Sequence, residues 1–272
     1  MQIKKVQAVW FSATGTTEKV VNTLAKDIAD KLGVPCESHS FNSPASRKQE
    51  LNFSAEELVV LGVPVYAGRV PNLILPYVQG SIKAEGALAV PVVLYGNRNF
   101  DDGLMELRNV MRDNGFLPIA AGAFVGEHSF STTLGAGRPD ADDMALCAKL
   151  AELAVERVNA GVTELVAVEG CDPIRPYYTP RDRNGTPINI LKVKPKTDPD
   201  KCINCGLCAR ICTMGSIDPA DVSSVTGICI KCCACVKKCP SQARYYDDPG
   251  YIYHKEELEE LYERRAEPEW FL

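Results

Sequence analysis

What this chain lacks narrows it first. No apolar stretch approaches the roughly 20 residues that a membrane-spanning helix needs, so no span is expected. The start, Met1-Gln2-Ile3-Lys4-Lys5, runs into a short apolar segment without a secretory signal pattern, and the cytoplasm is the expected compartment. Positive charge is not in excess. The net charge of −5 gives no general reason to expect a nucleic-acid partner. No Gly-x-Gly-x-x-Gly stands at a strand–helix turn, so direct NAD(P)H oxidation has no support. The Walker pattern Gly-x4-Gly-Lys-[Ser/Thr] is missing as well. Histidine is scarce, three in 272 residues. Against these absences stand 46% hydrophobic and 24% charged residues, enough for a sizeable core in one large domain or two.

Cysteine dominates residues 202–239. Cys202-x2-Cys205-x2-Cys208-x3-Cys212 is followed by Cys229-x2-Cys232-x2-Cys235-x3-Cys239-Pro240, each cysteine recurring 27 positions later. Three thiolates two residues apart wrap three corners of a cubane, and a distant thiolate closes the fourth. The spacing resembles that of bacterial two-cluster [4Fe–4S] ferredoxins, in which the fourth Cys of each run ligates the other cluster. The resemblance implies one cluster on Cys202, Cys205, Cys208 and Cys239, and a second on Cys229, Cys232, Cys235 and Cys212. Structural zinc is one alternative, but it usually takes two separated ligand pairs on one ion. Disulfides are another, and dense cysteines without a secretory signal argue against them. The first run ends Cys212-Thr213 where the second ends Cys239-Pro240, a local turn difference that removes no ligand. Cys233 reads as a small buried side chain or spare thiol. Exposed clusters of this kind are usually oxygen-sensitive, so an anaerobe or a low-oxygen niche is expected.

The first 165 residues alternate strands and helices. Residues 6–11 (Val-Gln-Ala-Val-Trp-Phe) read as a buried strand, and Val20, Val21, Leu24, Ile28 and Leu32 follow at helical spacing up to Gly33. Between them lies Ser12-Ala13-Thr14-Gly15-Thr16-Thr17. Backbone N–H groups and hydroxyls at a helix N-terminus suit an anion, and uncharged donors suit a buried phosphate monoester. The alternative is that Ser and Thr merely cap the helix. Further strands are expected at 36–41, 58–65, 88–95 and 117–125, with helices at 72–83, 102–114 and 140–160. Such alternation predicts a parallel sheet covered on both faces. The fold class is therefore α/β, a doubly wound five-stranded parallel sheet in the order 2-1-3-4-5, followed by a small α+β domain.

The hydroxyl-rich loop is similar to the flavodoxin FMN-phosphate loop, [Ser/Thr]-x-Thr-Gly-x-Thr. With the cysteine repeat, the layout resembles anaerobe proteins that fuse a flavodoxin domain to a two-cluster ferredoxin. The resemblance implies that Ser12, Thr14, Gly15, Thr16 and Thr17 hold the FMN phosphate. Ring contacts would come from two loops, Pro64, Tyr66, Ala67, Gly68 and Arg69 after the third strand, and Tyr95, Gly96, Asn97, Arg98, Phe100 and Asp101 after the fourth. In that scheme Tyr66 or Tyr95 stacks on the ring, and Gly68 lets a carbonyl face N5. Asn97 bonds the pyrimidine edge, and Arg69 or Arg98 places positive charge near N1. His128, after the fifth strand, is either a proton donor beside the flavin or a satisfied loop residue.

The expected boundaries are 1–165 for the FMN domain, 166–197 for a proline-rich basic linker, 198–246 for the cluster domain and 247–272 for an acidic tail. An edge strand is expected at 188–193 and a helix at 255–267. Tyr245 and Tyr246 are expected to cover a cluster, and Trp270-Phe271 to dock the tail on the body. Attraction between basic linker and acidic tail would fix the cluster unit in place; two unrelated solvated faces are the alternative. The leading functional reading is an electron-transfer flavo-iron–sulfur protein serving an external redox partner protein, with no covalent catalyst. One alternative is an FMN-dependent reductase of a quinone, nitro compound or flavin. Another is a redox or iron sensor with an empty flavodoxin-like domain. Transfer within one monomer and transfer across a homodimer both remain open.

Overall fold

Short runs of valine, leucine and alanine form the middle of the fold, because strands buried on both faces carry apolar side chains on both. The computed structural model describes residues 2–272. The first part holds β1 (Lys5–Trp10), α1 (Thr16–Leu32), β2 (Cys36–Ser40), β3 (Leu51–Ser54), β4 (Glu57–Pro64), α2 (Leu75–Ser81), β5 (Ile82–Glu85), β6 (Leu88–Tyr95), α3 (Gly103–Asp113), β7 (Leu117–Pro118), β8 (Ala121–Val125) and α4 (Ala141–Asn159). The second part adds β9 (Lys196–Thr197), α5 (Leu207–Arg210), α6 (Ala234–Lys237), β10 (Arg244–Tyr245), α7 (Pro249–Leu261) and β11 (Glu269–Phe271).

The main sheet runs β2-β1-β4-β6-β8 with every neighbour parallel, which is the flavodoxin-like order 2-1-3-4-5. Side chains alternate between its faces. Val6, Ala8 and Trp10 of β1 join Val20, Leu24 and Ile28 of α1 and Leu150 of α4 in one apolar layer. Val9 and Phe11 join Leu104 and Leu107 of α3 in the other. The order reverses between β1 and β4, and in such sheets ligands bind beyond the carboxyl ends of the strands at that point.

Several elements differ from the sequence expectation. Residues 117–125 split into β7 and β8, because Pro118 has no N–H for the ladder and its carbonyl is taken by Val166 N–H at 2.8 Å. No strand forms at 188–193. The Asn189 side chain accepts from Leu191 N–H, turning the chain, and Ile188, Ile190 and Val193 pack beside Tyr251 instead. The tail helix begins earlier than expected, at Pro249, with Asp248 accepting from Tyr251 N–H at 2.9 Å. It ends at Leu261, and the chain then returns as β11, antiparallel to β8. Trp270 and Phe271 thus dock the C-terminus as a sixth main strand. β3 and β5 pair as a separate parallel ribbon that the sequence reading did not contain. Among the described residues no helix is long and apolar enough to cross a membrane.

Candidate functional site

The cysteine repeat folds as two copies of one motif. Backbone angles repeat at the sequence offset of 27: Asn204 and Lys231 have φ of 50° and 56°, Gly206 and Cys233 have 70° and 58°, Gly215 and Gln242 have 62° and 53°. Gly206 and Cys233 cap the short helices α5 and α6. A left-handed residue is costly without glycine, so Cys233 occupies a strained position. Its buried thiol lies 3.4 Å from Tyr251 Oη, and burial pushes that thiol up to about 12. β9 and β10 close the motif with two antiparallel pairs.

Two cavities result. Cys202, Cys205, Cys208 and Cys239 line one, partly open to solvent, and Cys235 reaches its wall from the neighbouring copy. Cys212, Cys229, Cys232 and Cys235 line the other, with Cys233 beside them. Among the described residues no three metal-ligating side chains converge to hold a single ion. The sulfurs of each set line a shared space instead. Backbone donors reach the crossing sulfurs in the same way in both copies: Ser216 N–H to Cys212 Sγ and Ala243 N–H to Cys239 Sγ, each at 3.3 Å. Tyr246 Oη lies 3.8 Å from Cys229 Sγ and lines the second cavity, whereas Tyr245 lies outside both cavity linings.

The second cavity's surround, made of the second copy and the turn that ends the first, sits on the flavodoxin-like domain. Met214 and Ile230 pack against its apolar layer. Arg47, in the loop after β2, donates to Thr213 O at 2.5 Å. Lys237 of α6 pairs with Glu127 and donates to the carbonyls of His128 and Ser131, both at 2.7 Å. Tyr66 reaches from the loop after β4 into the same contact. Burial, and then nearby Cys232, hold its phenol well above the ordinary range, while a hydrogen bond with Ser129 opposes them. The second cavity therefore stands over the loops that follow β2, β4 and β8.

The hydroxyl-rich loop leads straight into α1. Gly15 is its N-cap with φ 110°, a conformation open to glycine, and no side chain caps the helix. Gly15 N–H donates to Ser12 Oγ at 3.2 Å, and Ser12 N–H to Asn42 Oδ1 at 2.5 Å, which hold the loop's shape. Nothing lies within 4 Å of the position a Gly15 side chain would take. An uncapped first turn of a 17-residue helix, with three threonines beside it, fits a phosphate dianion. Sequence reading missed Asn42, a lone polar residue whose role depends on β2 lying beside β1.

The expected ring-contact residues divide. Pro64 ends β4 opposite Leu94, Tyr66 faces the cysteine motif, and Ala67 O accepts from Tyr178 N–H of the linker at 2.8 Å. Arg69 pairs with buried Glu106, and its guanidinium lies 4.2 Å from the Tyr177 ring centroid. Gly68 has φ 80° and abuts Asp101, which pairs with Arg98. Asn97 is 3% exposed and its amide is saturated: it donates to the carbonyls of Tyr262 and Arg264 and accepts from Ala266 N–H. Tyr95 donates to Glu267 O at 3.2 Å, and Phe100 packs between Tyr95 and Phe271. The loop after β6 thus holds the C-terminal segment, and Gly96 lies against the His128 ring. Phe130 N–H donates to His128 Nδ1, which leaves the proton on Nε2. Burial and then Lys237 hold His128 down at about 3, so its ring is neutral at pH 7.

Residues 194–217 match the family model of a 4Fe-4S binding domain. The chain joins a flavodoxin-like fold to that segment. No curated protein matches it in sequence. Solved structures similar to it include a flavodoxin from the domain Archaea, 16% identical, covering 57% of this chain and 99% of that one with a TM-score of 0.40. The flavodoxin of Megasphaera elsdenii is 18% identical over 56% of this chain and 98% of its own, with a TM-score of 0.37. Rubredoxin oxygen:oxidoreductase from Desulfovibrio gigas is 14% identical over 58% of this chain and 37% of its own, with a TM-score of 0.40.

Proposed function

We propose that this chain is an electron-transfer flavo-iron–sulfur protein, with two [4Fe–4S] clusters in the thiol-lined cavities and FMN held at the N-terminus of α1. When bound, FMN exchanges one or two electrons and each cluster exchanges one. The observation that carries the reading is the crossing of Cys212 and Cys239 into each other's cavities, with the second cavity seated on the flavodoxin-like domain.

The chain's own residues have defined tasks. Ser12 shapes the loop, and the backbone N–H groups and hydroxyls of Thr14, Thr16 and Thr17 bind the phosphate. The α1 dipole adds to them. The N–H groups of Ser216 and Ala243 stabilise thiolate charge on Cys212 and Cys239, which favours the reduced form of what they ligate. Met214, Ile230 and Tyr66 exclude water between the second cavity and the sheet. The close seat of that cavity supports transfer within one monomer. The C-terminal segment held over residues 95–101 supports a carrier over a substrate reductase, which needs an open flavin face. The uncapped phosphate loop supports bound FMN over an empty sensor domain. Thiols arranged in matched quadruplets suit a reducing compartment such as the cytoplasm.

A cofactor inventory on anaerobically purified protein tests the reading. About eight iron, eight sulfide and one FMN per chain are expected from two clusters and one flavin. Full iron with no flavin taken up would overturn the FMN assignment. Iron near half that value, unchanged by reconstitution, would overturn the second cluster.

A further inference from the structure

The two copies of the cysteine motif have equivalent faces around their cavities, and only the face beside the second cavity is covered. In the second copy Ile230 and Lys237 are the docking residues, and Cys232 lies beside Tyr66. Their partners at the offset of 27 are Ile203, Arg210 and Cys205. Ile203 is 66% exposed, and Arg210 and Cys205 are exposed as well. Lys237 spends its charge on Glu127 and two carbonyls of the other domain. Arg210 instead folds onto its own loop, donating to Cys205 O at 2.9 Å. The turns after the fourth cysteines follow the cavities their cysteines cross into: Thr213–Gly215, which ends the first run, presses on the flavodoxin-like domain beside the second cavity, while Pro240 and Gln242, which end the second run, stand exposed beside the first.

We propose that this uncovered face of the first copy docks a separate small acidic electron-transfer protein. The proposal rests on the function argued above and adds where electrons cross the surface and what kind of partner brings or takes them. Two observations choose the occupant. The covered copy shows what such a face accepts: an apolar patch beside a carboxylate, Glu127. Charge points the same way. The whole chain carries −5, yet residues 198–246, the cluster ligands and their buried charge aside, hold six Lys or Arg against four Asp and no Glu. Exposed Arg210 and Lys238 flank the first cavity without an acidic partner of their own. A carboxylate on the visitor would take the place that Glu127 takes opposite Lys237. The exchange moves one electron and no atoms. The carrier's centre is oxidised as the chain's is reduced, or the reverse.

The test uses the full-chain holoprotein and a plant-type [2Fe–2S] ferredoxin as the acidic probe, with cytochrome c as the basic one. Binding is measured by calorimetry at low salt, with iron and sulfide assayed on the same samples. Arg210→Glu and, separately, Lys238→Glu should weaken ferredoxin binding about tenfold or more and tighten cytochrome c binding, since rim charges steer partner choice. Lys196→Glu, on β9, should change neither. Carbodiimide cross-links should join Lys238 to probe carboxylates. Loss of iron in the unmodified protein overturns the functional reading and this proposal together. Full iron with ferredoxin binding indifferent to both substitutions overturns this proposal alone. So does a homodimer that Ile203→Asp dissociates, because a second copy would then own the face.

Discussion

The flavodoxin-like domain and the cluster domain are held together by different means. The first has two continuous apolar layers with residues as large as Phe11, Phe41, Phe116 and Phe124 fully buried. Within residues 198–246 the buried apolar side chains are only Ile217, Val222, Cys233, Ala234 and Ala243. So small a core cannot offset the conformational entropy of ordering the segment. Cofactor ligation must supply what packing does not. A domain can thus carry its own stability or borrow it from what it binds, and here one chain does both.

The sharpest break of that contrast is removal of iron. A chelator under reducing conditions should make residues 198–246 protease-sensitive while the β-sheet domain stays protected. Equal protection of both would end the comparison. Packing defects should act the opposite way. Phe124→Ala should cost the first domain about 3–5 kcal/mol in urea unfolding, with iron content unchanged. Next comes the buried pair Arg138–Asp143, with side chains 6% and 0% exposed. Arg138→Ala takes from a buried carboxylate its bidentate partner, leaving Asp140 N–H at 2.8 Å and Arg265 at 3.7 Å, and should cost up to about 3 kcal/mol. It also removes a bond to Ala266 O, so limited proteolysis should open the chain near residues 262–268.

Smaller effects belong to the linker. Asp102, 1% exposed, receives Arg175 through its side chain and backbone and Cys171 through its backbone. The Arg175 side chain, first among these, lowers its carboxyl from 3.8 to about 2. A depressed folded value means stability present above the ordinary value and lost as pH falls. Asp102→Asn should therefore cost up to about 2 kcal/mol at pH 7. The gap should close between about pH 4 and pH 2. A gap constant across that range would sink the assignment. The smallest effect is expected for Arg183–Glu260, 65% and 62% exposed, an ion pair joining linker and tail helix. Arg183→Ala should change stability by less than about 1 kcal/mol. Arg175 and Tyr177 fasten the linker to the flavodoxin-like domain as well, beside the linker–tail pairs Arg183–Glu260 and Lys196–Asp247.

Much of this was legible in the chain. Local rules govern the parallel strands, because a strand buried on both faces must read as an apolar run, and 88–95 is a strand to the residue. The cysteine spacing is legible for the same reason: each run wraps its own cavity through nearby residues. The phosphate loop follows from strand, turn and helix in sequence. Asn97 shows where local reading ended. Its residue type suits a flavin edge, but its amide holds a segment 165 to 169 residues away. Arg69 and Tyr95 likewise bond to groups that only tertiary packing brings near. The docking of one cysteine copy and the exposure of the other were equally hidden, since the two runs share their spacing. The sequence alone determined which residues could form strands, cavities and an anion loop, because those depend on neighbours along the chain. Which of two near-identical faces meets the sheet, and which side chains remain free for a ligand, was decided by long-range packing.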